Sequence, residues 1–272
     1  ESVETEICRT GLQNLWRISS RYQRIVSSLR KTEKKENIMK TLTDALTNLN
    51  IPYDENIVEQ FRGYMEGILD WNEKINLTAI TDKEEFIAKH FVDSVLCYGF
   101  KEYVNAESII DVGTGGGFPG IPLAIVSPDK DFVLADSLNK RLKVINTLTE
   151  ELGIANTQTV HGRAEELAKN KAYRQGFDLC ISRAVANMAV LAEYCLPFIK
   201  KGGYLLAYKG PDAEEELAKA EKAIKILGGK FIRIESVELD GYDHNIVVIE
   251  KIKDTPAKYP RKAGTPAKEP IA

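Results

Sequence analysis

The sequence has few of the residues that build metal sites, disulfide frameworks or membrane spans. Its 272 residues include four cysteines and three histidines, the cysteines lie far apart, and no group of them has zinc-ligand spacing. We therefore expect no structural metal and a reducing compartment, the cytoplasm. No apolar run reaches the roughly 18 residues that span a bilayer, and no secretory signal pattern is present, so we expect no membrane association.

Acidic and basic side chains are nearly balanced, with 37 Lys and Arg against 40 Asp and Glu, but they are unevenly distributed. Residues 1–38 have a net charge of +3, residues 39–250 of −10 and residues 251–272 of +4. Because like charges repel, a polyanion would be bound by the two ends and by local basic patches, not by the acidic body.

The chain divides into four predicted segments. Residues 1–38 are interpreted as a non-native or disordered extension ahead of a natural start near Met39, although their spacing also fits a basic amphipathic helix. Residues 39–100 carry three amphipathic patterns and should form a helical cap, whose third helix opens with a capping box from Thr81 to Glu84. Residues 101–252 should form the main domain, and residues 253–272 a basic, proline-rich arm.

The main domain alternates short apolar runs with amphipathic stretches, which predicts a mostly parallel sheet with helices on both faces. No helical stretch separates the last two runs, so they should form an antiparallel hairpin at one edge. Five parallel strands followed by such a hairpin is the α/β, Rossmann-like arrangement of class I methyltransferases. The predicted strands are Ser108–Val112, Phe132–Ala135, Thr157–Val160, Asp178–Ser182, Tyr204–Tyr208, Phe231–Glu235 and Ile246–Lys251.

The strongest local motif joins the first predicted strand to a glycine-rich turn, from Asp111 to Gly120. Glycines let the backbone approach a ligand closely, and the first strand ends at the ligand-binding crevice, so Gly113 and Gly115 are candidate cofactor contacts. The letters also fit a dinucleotide fingerprint, but Pro119 removes an N–H that a pyrophosphate would need. Asp111 would repel phosphate and suits the ammonium of S-adenosylmethionine, which favours that cofactor over NAD.

Two acidic side chains after the second and third strands are further candidates. Asp136, followed by Ser137, closes the second strand where a carboxylate can accept both ribose hydroxyls of an adenosyl ligand, whether S-adenosylmethionine or NAD. Asp136 could instead only cap the following helix. Glu165 stands where an adenine would lie, but it could equally be a first-turn carboxylate favoured by the helix dipole.

Basic side chains follow the fourth and fifth strands. Arg183 lies just past the fourth strand, at the crevice, and is predicted to contact substrate or cofactor. Lys209 ends the fifth strand and is a candidate for phosphate binding. Cys180 lies within an apolar strand and is interpreted as a small core residue, which leaves no positioned cysteine nucleophile. His90 is interpreted as a satisfied core histidine.

Six blocks in order, and a seventh in the tail, match the sequence pattern of a known family. They are Trp71–Thr78, Lys89–Ser94, Asp111–Gly120, Asp136–Ser137, Arg163–Glu165, Ser182–Ala186 and Tyr259–Pro266. The chain thereby resembles, over about residues 39–272, the bacterial small-subunit rRNA guanine-N7 methyltransferases, the RsmG family, also called glucose-inhibited division protein B.

The resemblance implies S-adenosylmethionine as cofactor, with Gly113 and Phe118 lining it and Ala164 and Glu165 at its adenine end. It implies that Arg183 touches cofactor or target as the catalytic residue. It also implies methylation of N7 of one guanine in 16S rRNA within the small ribosomal subunit, by an enzyme that we expect to be a monomer.

Guanine N7 has a lone pair and no proton and is itself the nucleophile, so the enzyme has to place the base in a dry pocket and needs no general base, cysteine nucleophile or metal. Phe118 and Arg183 are candidates to hold a splayed-out base. The alternatives are a class I methyltransferase that acts on a small molecule, a nicotinamide-dependent dehydrogenase and a non-catalytic rRNA-binding module.

The basic arm carries four prolines, each of which fixes φ and removes a backbone donor. We therefore expect an extended, solvated arm, with Arg261 and Lys262 near the RNA entrance and Lys209 on the same side. The alternative is that the arm folds back onto the acidic body.

Overall fold

The computed structural model describes residues 38–239 and 242–271. The predicted extension therefore lies outside the described residues, apart from residue 38. Residues 42–272 form one compact unit, and residues 1–41 a second unit of which only 38–41 are described. No described helix is both long and apolar enough to cross a membrane, and no cluster of described acidic, histidine or cysteine side chains could hold a metal ion.

Helices occupy the first part of the described chain and alternate with strands thereafter. The helices are α1 (38–48), α2 (Glu55–Asn72), α3 (Lys83–Phe86), α4 (Asp93–Val95), α5 (Lys101–Val104), α6 (Gly120–Val126), α7 (Asn139–Glu151), α8 (Ala164–Leu167), α9 (Met188–Cys195), α10 (Ala213–Ile226) and α11 (Thr265–Lys268). A π-helical stretch, Ile87–Val92, joins α3 to α4, and a 3-10 turn, Leu196–Phe198, follows α9. The strands are β1 (Ser108–Val112), β2 (Asp131–Asp136), β3 (Thr157–His161), β4 (Phe177–Arg183), β5 (Ile199–Lys209), β6 (Gly229–Leu239) and β7 (Tyr242–Lys251).

The third predicted helix begins at the expected place, but its cap differs from the prediction. A capping box that starts at Thr81 is wrong, because Asp82 is the N-cap of α3. Its Oδ1 accepts hydrogen bonds from the backbone N–H groups of Glu84 and Glu85, at 3.0 and 2.9 Å. One carboxylate thus satisfies two of the donors at the helix start, and it is one residue later than the sequence pattern indicates.

A single seven-stranded sheet has the order β3-β2-β1-β4-β5-β7-β6. Strands β1 to β5 pair in parallel, and β7 runs antiparallel to both β5 and β6. The predicted parallel sheet and terminal antiparallel hairpin are confirmed. The strand order reverses between β1 and β4, which is where ligands bind in open α/β sheets, so the carboxyl ends of these strands locate the candidate site.

The expectation of an extended, solvated C-terminal arm is wrong. Arg174 donates to the backbone carbonyls of Thr255 and Tyr259, at 2.8 and 3.0 Å, and Tyr259 and Ile271 are buried. Prolines limit the backbone hydrogen bonds that the segment can make within itself, and side chains of the body supply further partners. The segment folds back onto the body, which was the alternative that charge complementarity allowed.

Candidate functional site

The glycine loop leaves β1 and packs against the end of β2. The backbone N–H groups of Gly113 and Thr114 donate to the carbonyl oxygen of Ala135, at 2.8 and 3.1 Å. Gly113 has a φ of +77°, and a Cβ atom at this position would lie 2.4 Å from Cγ2 of Val185. Glycine is therefore required here both by the backbone conformation and by the close contact.

Asp111 is buried beneath this loop. Its Oδ2 accepts hydrogen bonds from the Thr114 hydroxyl at 2.7 Å and from the Gly120 N–H at 2.9 Å. Its Oδ1 is buried with no hydrogen-bond partner among the described residues. Burial raises the pKa of Asp111 to about 7. The carboxylate braces the loop with one oxygen and keeps the other as an acceptor.

A cavity of about 170 Å³, here called the loop cavity, opens beside the glycine loop. Asp136 lies on its wall and joins β2 to the loop, because its Oδ2 accepts from the Gly115 N–H at 2.9 Å. Its Oδ1 accepts from the Leu138 N–H at 2.7 Å, a local turn contact ahead of α7, whose N-cap is Leu138 and which has no side-chain cap. The lining residues are Val112, Gly113, Ala135, Asp136, Ser137, Gly162, Arg163, Ala164, Glu165, Val185 and Tyr194.

Three of these lining residues come from two helices and are called the α8–α9 wall: Ala164, Glu165 and Tyr194. Glu165 is 3% exposed, and its Oε1 accepts from the backbone N–H of Gly264 at 2.8 Å. Sequence analysis missed Tyr194, because an aromatic residue in an apolar helix is not distinguished locally from a core residue. Ala164 and Glu165 both line the loop cavity, and their contact with an adenine stays a prediction.

A larger cleft of about 610 Å³, the strand-end cleft, opens at the carboxyl ends of β4 and β5. Val185, in the loop after β4, lines both this cleft and the loop cavity. The two spaces therefore adjoin at one side chain, which sequence analysis did not single out. The cleft is lined by Lys89, Asp93, Arg183, Ala184, Val185, Ala186, Tyr208, Lys209, Gly210, Pro211, Glu216 and His244.

Arg183 is held at the cleft by the π-helical stretch and the helix that follows it. Its Nη1 donates to the Asp93 carboxylate and to the Lys89 carbonyl, and its Nη2 lies 3.2 Å from Nδ1 of His90. Oδ1 of Asp93 is 2.7 Å from Nδ1 of His244. Burial alone would raise the pKa of Asp93, but His244 and Arg183 outweigh it and lower that pKa. An ionised carboxylate thus fixes the guanidinium in place.

Phe118 lies in an aromatic cluster behind Arg183 and is absent from the described lining of both cavities. Its ring stacks on His90 with centroids 4.4 Å apart, and the guanidinium carbon of Arg183 lies 5.6 Å from its centroid. Nε2 of His90 is 2.6 Å from the Thr78 hydroxyl, so both ring nitrogens have partners. Burial, followed by the charge of Arg183, lowers the pKa of His90 to about 3, so the imidazole is neutral at pH 7.

The three predicted RNA contacts lie in different surroundings. Lys209 lines the strand-end cleft, but its ammonium is 2.7 Å from the Glu216 carboxylate and its side chain is 8% exposed. Arg261 pairs with the buried carboxylate of Glu193. Lys262 is exposed. A phosphate could approach Lys262 directly, whereas it would have to compete with a carboxylate at the other two side chains.

Comparisons with known proteins identify the family of the chain. The family model described as rRNA small subunit methyltransferase G, GidB, matches residues 57–247. The chain is 51% identical to the ribosomal RNA small subunit methyltransferase G of Clostridium novyi, over 85% of this chain and 96% of that protein. It is also 51% identical to the protein of that name from Lactococcus lactis, over 84% of this chain and 96% of that protein.

A solved structure shares the fold at low sequence identity. The O-methyltransferase TomG from Streptomyces achromogenes, in complex with SAM, aligns with a TM-score of 0.50 and 14% identity, over 78% of this chain and 96% of that chain. This likeness supports the class I methyltransferase fold alone.

Proposed function

Because the chain belongs to the rRNA small subunit methyltransferase G family, we propose that it is an S-adenosylmethionine-dependent methyltransferase that modifies the 16S rRNA of the small ribosomal subunit. The observation that carries the proposal is the junction at Val185, where the loop cavity meets the strand-end cleft. A methyl donor in the first space and an acceptor base in the second would meet at this side chain.

The side chains of the loop cavity fit S-adenosylmethionine. Asp136 and Ser137 would bind the ribose hydroxyls, and the α8–α9 wall would hold the adenine. The unpaired, buried Oδ1 of Asp111 fits a loop that receives a positively charged ligand, because a nearby cation stabilises the carboxylate. When bound, the cofactor supplies an electrophilic methyl group. The antiparallel β6–β7 hairpin and the family membership count against a nicotinamide cofactor.

The strand-end cleft is the proposed site of the target guanine, with N7 as the methyl acceptor. Residues 182–186 at the end of β4 have no Asn-Pro-Pro-aromatic sequence of the kind found in exocyclic-amine methyltransferases, and Cys180 is fully buried within the strand. N7 carries no proton, so the chain has to position the base and exclude water and does not have to remove a proton. Arg183, fixed by Asp93 and His90, is the side chain that we propose contacts the base or the cofactor.

The test is the identity of the methylated nucleoside. The protein is incubated with isotope-labelled S-adenosylmethionine and either naked 16S rRNA or small subunits that lack the modification, and digested RNA is analysed by mass spectrometry. We expect label on 7-methylguanosine, with the assembled subunit as the better substrate of a monomeric enzyme. Arg183→Ala should reduce labelling at least about tenfold, since it removes a fixed charge from the site.

Label on an exocyclic nitrogen or on a cytosine carbon would refute the assignment to N7. No label in either RNA, from a protein that binds S-adenosylmethionine, would refute rRNA as the substrate and favour a small-molecule acceptor.

A further inference from the structure

The C-terminal segment, residues 253–271, contacts one residue of the α8–α9 wall, Glu165, and the neighbour of another, Tyr194. Arg261 binds Glu193, the residue that precedes Tyr194 in α9, and Gly264 binds Glu165. Glu165 and Tyr194 both line the loop cavity. Two lining residues from two different helices are therefore linked to one short stretch of the same segment.

Arg261 and Glu193 are joined by several hydrogen bonds, and the Glu193 carboxylate is almost fully buried. The Glu193 side chain is 1% exposed. Its Oε1 accepts from the Arg261 backbone N–H at 2.8 Å and from Nε at 3.0 Å, and its Oε2 accepts from Nη2 at 2.7 Å. Such a fork-like pair has high geometric specificity, and loss of the arginine would leave a buried charge without compensation. Arg261 therefore compensates the buried charge of Glu193, which precedes Tyr194 in α9.

The second contact acts on the cavity wall directly. The N–H of Gly264 donates to Oε1 of Glu165 at 2.8 Å, and Glu165 is itself a lining residue with 3% exposure. Gly264 has a φ of +83° and precedes α11, so its N–H direction is set by a backbone conformation that favours glycine. This bond orients a carboxylate at the end of the cavity where the adenine is proposed to lie.

We propose that Arg261 and Gly264 hold the α8–α9 wall in the shape that binds the adenosyl end of the cofactor, so that this stretch of the C-terminal segment serves cofactor binding. The inference rests on the proposed function, which places S-adenosylmethionine in the loop cavity. Arg261 is a positioning residue in this account, since it acts through Glu193 and Tyr194. It replaces the expectation that Arg261 grips RNA phosphate.

The segment has a separate anchor, which makes the proposal testable without unfolding it. Arg174 donates to the carbonyls of Thr255 and Tyr259, and the Thr255 N–H donates to Oε1 of Gln175. None of these bonds involves Arg261, so we expect them to persist when Arg261 is replaced. Lys262, the next residue, is exposed and carries the same charge, so Lys262→Ala is a matched control for the loss of one positive charge.

The experiment titrates the full chain by calorimetry with S-adenosylmethionine and, separately, with adenosine. We expect Arg261→Ala to weaken binding of both ligands by the same factor, roughly tenfold, in line with the effect of partners that orient ligating side chains in other sites. Arg261→Lys should recover part of the affinity, because lysine keeps the charge but not the forked geometry. Lys262→Ala should bind both ligands as the wild type does.

Steady-state kinetics distinguish an effect on the shape of the cofactor site from a general loss of active enzyme. In Arg261→Ala the KM for S-adenosylmethionine should rise about tenfold while kcat at saturating cofactor stays within about twofold, because a wall effect on binding is overcome by concentration. If Arg261→Ala does not fold, Arg261→Lys and Glu193→Gln are measured instead, and they should also raise the KM for S-adenosylmethionine with little change in kcat.

The outcomes separate this inference from the function on which it rests. One outcome is that the unmodified protein binds S-adenosylmethionine and the folded Arg261 variants bind it with the same affinity. That result would overturn the role of the C-terminal segment and leave the proposed function intact. Failure of the wild-type protein itself to bind S-adenosylmethionine would overturn the proposed function. A kcat loss without a KM change would also refute the wall model.

Discussion

At the scale of single residues, two strand aspartates, Asp111 and Asp178, have pKa values that are shifted in opposite directions. Asp111 is fully buried, and burial raises its pKa to about 7. Asp178, near the opposite ends of the strands, is held at a pKa of about 2, because bonds from Lys200 and Ser108 outweigh the raising effect of burial. The buried carboxylate at the site is thus kept at a cost in stability, as expected for a group retained for function.

Asp111→Asn should therefore change the pH dependence of unfolding. An aspartate with a pKa of about 3.8 when unfolded and about 7 when folded binds more protons in the folded state between these values. Its contribution to stability falls as pH rises through that window, by a few kcal/mol at most. Asn cannot titrate, so the variant should gain stability relative to wild type between pH 5 and pH 8, measured by urea denaturation at both pH values.

Asp178→Asn is the control of opposite sign. The pKa of Asp178 is lowered in the folded state, so its ionised form stabilises the fold above about pH 4 and the effect is lost as pH falls toward 2. Asp178→Asn should be less stable than wild type at both pH 5 and pH 8. A parallel shift of the two variants would contradict the account of Asp111.

At the scale of elements, the loop after β1 and the loop after β4 form one packed unit. Gly113 lies against Val185, and Val185 lines both cavities, so the two strand ends determine the distance between the two proposed ligands. The neighbouring positions of β1 and β4 in the sheet place these loops side by side. Any change that displaces Val185 should therefore affect cofactor and acceptor together.

Gly113→Ala tests this coupling. The added Cβ would lie 2.4 Å from Val185 at a φ of +77°, so Val185 has to move and the backbone is strained by about 1–2 kcal/mol. We expect at least tenfold weaker binding of S-adenosylmethionine by calorimetry, with reduced methylation.

Gly153→Ala is the matched control, because Gly153 has a φ of +66° and no atom within 4 Å of its added Cβ. It should show a similar loss of stability in denaturation experiments and unchanged cofactor binding. Equal cofactor affinities in the two variants would show that the contact with Val185 does not shape the site.

At the scale of the whole molecule, the charge distribution limits how RNA is bound. The body between residues 39 and 250 has a net charge of −10, and part of the positive charge of the C-terminal segment is used against it, as in the pair of Arg261 with Glu193. RNA therefore has to be bound by exposed basic side chains rather than by the field of the molecule. Lys262 is one such side chain, and it lies between Arg261 and Gly264 in the C-terminal segment.

Lys262→Ala should flatten the dependence of log RNA affinity on log salt concentration by about 0.7, the value for loss of one phosphate contact on a single strand. Fluorescence anisotropy with a labelled rRNA fragment at several salt concentrations measures the slope. Lys230→Ala is the control. It removes an exposed charge at the amino end of β6, on the side of the sheet away from the carboxyl ends of the parallel strands, and should keep the wild-type slope. Identical slopes in both variants would place the RNA contacts elsewhere.

Local sequence patterns were sufficient to predict the sheet and the edge at which the ligands are proposed to bind. Hydrophobic periodicity and the alternation of strands and helices are local properties, and parallel pairing follows from the length of the crossovers. The glycine loop and Asp136 could be located because they directly follow strands, and the carboxyl ends of parallel strands meet at one edge. The resemblance to the family, through the block Arg163–Glu165, assigned Ala164 and Glu165 to the adenine end of the predicted cofactor site.

Tertiary structure alone decided which side chains face each other. Asp93 and His244 are 151 residues apart, and Glu193 and Arg261 are 68 apart, so no local spacing predicts either contact. The basic, proline-rich composition of the C-terminal segment predicted a solvated arm. In the structure, the buried carboxylates of Glu193 and Glu165 accept hydrogen bonds from Arg261 and from the Gly264 N–H. Burial and long-range pairing depend on the packed whole, and for that reason the pairing of Arg261 with Glu193 was not predicted.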